Sequence, residues 1–104
     1  MSFWKALGWL AVGAVAAVAV IAVLSYQNFI SWFQQRSSLM QSDRGRVGVS
    51  VKQCLNNGSY KVVQGVFDTQ TEQVLDQRVI ETQQLDPRIA NAHDANGIAV
   101  WEVS

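Results

Sequence analysis

From Ala6 to Gln35 the chain carries no charged side chain, and no other feature constrains its fold as strongly. Three structures can hold such a run: a cleaved secretion signal, a buried core helix or a permanent membrane span. Length separates them first. The apolar run from Ala6 to Leu24 amounts to about 19 residues, which at about 1.5 Å per residue reaches across a hydrocarbon core of about 30 Å. A signal core is shorter, about 7–15 residues after a basic start. Here Lys5 is the only basic side chain ahead of the run, and no small-x-small site leading into polar sequence follows it. The rest of the chain is too short to wrap a helix that is apolar on every side. The sequence therefore predicts a membrane span.

The flanks fit that expectation. Trp4 and Trp9 stand near one end, and Tyr26, Phe29, Trp32 and Phe33 crowd the other. Amphipathic rings favour the headgroup level, so these six residues are the predicted membrane-interface set. The competing reading makes Trp32 and Phe33 core residues of the domain that follows. Tyr26, Phe29, Ile30 and Phe33 fall on one helical stripe, with Gln27, Gln34 and Gln35 largely off it. An amphipathic, half-submerged continuation is expected, so that residues 1–36 form one transmembrane and interfacial helix. Gly13 and Ala17, four apart, offer a small-residue ridge for packing against another helix. No ionisable residue lies within the span, which argues against an ion or proton path.

Charge is balanced overall, with eight basic and eight acidic residues, which gives no sign of a nucleic-acid binder. Its distribution says more. Arg36, Arg44, Arg46 and Lys52 follow the apolar block, whereas Lys5 stands alone before it. By the positive-inside rule the carboxyl-terminal part is expected in the cytoplasm, where the lone Cys54 would stay reduced. The same four basic residues are candidates for contact with anionic lipid.

Residues 37–45 are polar and read as a hinge. Residues 46–104 then read as a small α+β domain in the order β-β-β-α-β. Val47, Val49 and Val51 alternate with Gly48, Ser50 and Lys52, as in a half-buried strand. Asn57-Gly58-Ser59 fits a glycosylation sequon but is better explained as a hairpin turn. A second strand runs from Tyr60 to Phe67 and a third from Val74 to Glu81. Asp86 and Pro87 read as the cap and first residue of a short helix. Asn96-Gly97 ends it and Ile98 to Val103 form a last strand. The expected fold class is thus a single amino-terminal transmembrane α-helix with an amphipathic interfacial extension, plus a small α+β domain.

Chemistry is scarce. Cys54 and His93 are single residues of their kind, and a Cys54–His93 pair would be a coincidence of composition rather than a motif. Metal sites need more His or Cys ligands. No calcium-loop spacing and no phosphate-cradling glycine loop occurs. No enzyme, cofactor or small-molecule substrate is expected. The leading functional expectation is a single-pass, signal-anchored membrane protein serving as a non-catalytic accessory, scaffold or assembly subunit of a membrane complex or membrane-containing particle. Its partners would be the bilayer and other membrane proteins or copies of itself. A bilayer-active protein of holin-like or stress-induced type, and a tethered module that binds proteins by strand addition, are the alternatives.

Overall fold

A computed structural model describes residues 18–94 and 97–101. Five strands form one mixed sheet in the order β1-β4-β3-β2-β5. The strands are β1 (Val18–Leu24), β2 (Arg46–Cys54), β3 (Tyr60–Asp68), β4 (Gln73–Leu85) and β5 (Ile98–Trp101). Three helices interrupt them: α1 (Tyr26–Gln34), α2 (Ser37–Gln41) and α3 (Pro87–Ala92). β2, β3 and β4 form an antiparallel meander and β5 joins β2 antiparallel. β1 alone runs parallel, placing Val18 beside Val79 and Leu24 beside Leu85 of β4.

The meander follows from local chemistry. Valines alternate along β2, and the turn closes where Leu55 N donates to Ser59 O, with Gly58 at φ 85° and the Asn57 side chain accepting from Ser59 N. That φ is costly for any residue with a Cβ. Asp86 caps α3 by accepting from Arg88 N at 2.8 Å, with Pro87 in the first turn. Ser25 caps α1 by accepting from Asn28 N at 3.1 Å.

All three helices contribute to one face of the sheet. Phe29, Trp32 and Phe33 of α1, Met40 of α2 and Ile89 of α3 pack with Leu24, Val62, Val66 and Ile80. Phe29 meets Phe33 edge-on at 5.4 Å between ring centroids and Trp101 at 4.8 Å. Gly48 makes room for this layer, since a Cβ there would lie 2.9 Å from the Phe33 ring. A second apolar cluster of Val49, Val51, Val63, Phe67 and Val79 comes from the alternate positions of β2, β3 and β4.

This arrangement corrects the expected fold class. Val18–Leu24, the second part of the expected span, is a strand hydrogen-bonded to β4, and Ser25 ends it before a separate nine-residue helix begins. Among the described residues no helix is long and apolar enough to cross a membrane. The transmembrane, single-pass and signal-anchor readings fall with that finding, and so does the cytoplasmic placement derived from them. The physical reason lies in the residues. A run of Val, Ile and Ala is apolar in either conformation, and β-branched side chains favour the strand once a neighbouring strand supplies backbone partners. The stripe on residues 26–33 was real, but it buries against a sheet. Trp4, Trp9, Gly13 and Ala17 lie outside the described residues.

Phe33 tests this packing. Phe33→Ala removes a fully buried ring over Gly48 and should destabilise the fold by about 3–5 kcal/mol. Urea unfolding checks the value; an unchanged midpoint would place the ring outside the core.

Candidate functional site

Among the described residues the sheet has two edges, β1 and β5, and they differ. The described part of β5 spans four residues, IAVW. β1 is seven residues of sequence VAVIAVL, without a charge, a proline or a polar side chain. It also lacks a register irregularity on its β4 side. Val18, Val20 and Val23 are 47%, 81% and 55% exposed. An edge with none of the usual protections is a template for another strand.

The hydrogen-bond polarity of β1 can be read from its inner partners. Ala22 O accepts from the Thr82 hydroxyl at 3.3 Å, and Leu24 O accepts from Asp86 N at 3.1 Å. The backbone of Ala22 and Leu24 therefore faces β4. With a period of two, the N–H and C=O groups of Ala19, Ile21 and Val23 face outward. Beside the strand lies a cleft of about 440 Å³, walled by Val20 and Ala22, by Glu81 and Gln83 of β4, and by Asn57 and Ser59 of the β2–β3 turn.

The residues singled out from sequence lie elsewhere. Phe29, Trp32 and Phe33 are in the core, and Tyr26 is half-buried beneath the Arg88 guanidinium at 4.4 Å. Arg36 pairs with Asp76 at 2.6 Å and lies over the Trp32 ring at 3.9 Å. Arg46 reaches Asp68 at 3.4 Å, Ser42 Oγ and Leu39 O. Arg44 is exposed, and Lys52 is half-buried in β2, one residue past the stretch that pairs with β5. The structure brings none of these four basic residues to the β1 edge strand or its cleft.

Cys54 is exposed at the end of β2, and His93 has other partners. Its Nδ1–H donates to Ile89 O at 2.7 Å, which leaves Nε2 to accept from Ser50 Oγ at 2.7 Å. Trp101 Nε1–H donates to the same Ser50 oxygen at 2.7 Å. A serine beside a histidine invites a catalytic reading, but Ser50 is fully buried and the imidazole is oriented by a carbonyl, not a carboxylate. The network joins β2, α3 and β5. Among the described residues no group of His, Cys, Asp and Glu is placed to hold a metal ion.

Burial holds the His93 pKa below 6.5, as does Lys52, while the Ile89 carbonyl and Asp94 act the other way. The folded state thus disfavours the imidazolium. This contribution to stability is complete above pH 6.5 and declines as pH falls from there toward the lowered folded value. Asp86, held down to about 2 chiefly by the Arg88 side chain, loses its contribution only below the ordinary carboxylate value of 3.8. Asp68 is held low first by the Thr71 amide and loses its contribution over the same acidic range. Urea midpoints between pH 7 and pH 5 should therefore fall in the wild type and stay level in His93→Gln. Parallel slopes in the two proteins would refute the assignment. No protein-family model, no curated protein and no solved structure matches the chain.

Proposed function

We propose that this chain is a non-catalytic assembly module that joins a second copy of itself edge to edge along β1. The observation that carries the reading is the exposure of an uncharged, seven-residue edge strand with outward backbone groups at Ala19, Ile21 and Val23. A second copy suits this edge because every residue of VAVIAVL is apolar and uncharged, so pairing the strand with itself buries no charge. In the antiparallel register centred on Ile21, Ile21 meets Ile21, Ala19 meets Val23, Val20 meets Ala22 and Val18 meets Leu24. The outward residues 19, 21 and 23 then face one another as hydrogen-bonded pairs, each exchanging two N–H···O bonds. Val20 and Ala22 fall at the closer, non-hydrogen-bonded positions, where large against small packs without strain.

Magnitudes say which part decides. Backbone bonds of about 1 kcal/mol net each are offset by an association cost of about 4–15 kcal/mol. Burial of Val18, Val20 and Val23, at up to about 1.5–3 kcal/mol each, supplies the surplus. Association in the roughly micromolar range is expected.

Sedimentation of the full chain from micromolar to millimolar concentration should show a reversible dimer. Amide exchange at Ala19, Ile21 and Val23 should slow as concentration rises. Ala19→Pro removes an outward N–H that is not paired with β4, so it should leave the urea midpoint close to the wild-type value while weakening dimerisation about tenfold or more. Val20→Lys should do the same by removing apolar burial. A wild type that stays monomeric throughout, or a dimer indifferent to both substitutions, would overturn the proposal.

A further inference from the structure

Arg78 occupies an inward position of β4, directly across from Gln64 of β3. Its Nε–H donates to Gln64 Oε1 at 2.6 Å, and Gln64, fully buried, is itself anchored by donating from Nε2 to Phe29 O at 2.9 Å. Nη2 donates to Asn28 Oδ1 at 3.1 Å and to Asn28 O at 3.3 Å. The guanidinium plane is therefore fixed by a buried amide on one side and by α1 on the other. That leaves Nη1, for which no described residue supplies a hydrogen bond.

The charge is not balanced by an acid. Among the described residues the ion pairs join Arg36 to Asp76, Arg46 to Asp68 and Arg88 to Asp86, and none includes Arg78. Burial first, and then the nearby Arg36, pull the Arg78 pKa down to about 10, so the group still carries its charge at neutral pH. The guanidinium lies 5.8 Å from the Trp32 ring centroid, a weak cation–π partner that leaves the charge without a counter-ion.

It borders a cleft of about 280 Å³ whose other walls are Asn28, Ser31, Trp32 and Gln35. These four recur along one face of α1 and its cap, at the spacing that brings helix side chains into a row. Three of them carry an amide or a hydroxyl. Ser31 Oγ already accepts from Gln27 Nε2 at 3.1 Å, which leaves its own proton available to donate. A rigid guanidinium with an open edge, facing a polar cleft, is the arrangement that recognises planar or tetrahedral oxygen anions.

We propose that the cleft between α1 and β4 binds a small oxyanion, a carboxylate or a phosphate group, on Arg78 Nη1 with Ser31 and Gln35 as further donors. Gln64 and Asn28 are positioning residues that hold the guanidinium in place. The inference is independent of pairing at β1.

Titration of the full ¹⁵N-labelled chain with sodium phosphate and with sodium acetate, each against sodium chloride at constant ionic strength, tests it. The Arg78 Nε–H resonance should shift saturably with at least one of the two anions and not with chloride. Saturation by acetate identifies a carboxylate site, and saturation by phosphate alone identifies a phosphate site. Arg78→Lys, which keeps the charge but loses the fork, should weaken binding about tenfold or more, read from the Trp32 indole N–H. Ser31→Ala provides a milder variant that leaves the Gln64 bond intact, and a few-fold weakening is expected. Shifts that track chloride for both anions, or saturable binding unaltered in both variants, would overturn the proposal.

Discussion

The contact on which the rest of the structure depends is the landing of Phe33 on the bare backbone of Gly48. Because β2 has no side chain at that point, α1 can lie close to the sheet and bring Phe29 and Phe33 against Trp101 of β5. Close approach also lets Phe29 O reach the fully buried Gln64, so that a polar side chain in the middle of β3 is satisfied. Gln64 in turn holds Arg78. On the other flank Ser50, two residues along β2 from Gly48, receives Trp101 and donates to His93. One missing Cβ therefore conditions the aromatic layer and both buried polar networks. A substitution that lifted α1 would leave several polar groups without partners at once, each costing about 1–3 kcal/mol.

Some of this was legible in the sequence because its causes are local. The valine alternation of β2, the Asn-Gly turn and the Asp86-Pro87 helix start each depend on a few neighbouring residues, and all appear within a residue or two of the expected places. The opening stretch was not legible for a definite reason. Length identifies a span only if the run is helical throughout, and an all-apolar run of Ala, Val and Ile has no periodicity to say so. Ser25 was the overlooked signal, a good helix cap standing between a β-branched run and an amphipathic one. The stripe of Tyr26, Phe29, Ile30 and Phe33 showed which face of α1 would be buried, but a stripe cannot say whether lipid or a sheet covers it. Arg78 fell within an expected strand on the face that turns inward. Only the pairing with Gln64 across the sheet makes that position meaningful.

The two sheet edges show why an exposed β1 invites a functional explanation. Single exposed valines are ordinary on a protein surface, and Val100 of β5 is one of them. β1 is different in kind, since its exposed side chains and its outward backbone groups lie on the same seven residues. Proteins commonly blunt such edges with lysine, proline or a bulge, and β1 has none of these. β4 beside it does carry charge, at Asp76, Arg78 and Glu81, so acceptable residues for a guarded edge are present one strand away. β5, the other edge among the described residues, is also uncharged, but its described part spans four residues against the seven of β1.

Symmetry links that edge to the anion cleft. A pair of antiparallel edge strands is related by a two-fold axis normal to the sheet, which keeps the faces of the two sheets continuous. The helices of both copies then lie on one side, and so do both Arg78 clefts, since each is built between α1 and the helix-bearing face of β4. Ile21, at the centre of the pairing register, belongs to the periphery of the same apolar cluster that holds Phe29. Phe29 O fixes Gln64, and Gln64 fixes Arg78. A short chain of packed and hydrogen-bonded groups thus runs from the edge to the guanidinium. A dimer formed in this way would carry both clefts on one surface.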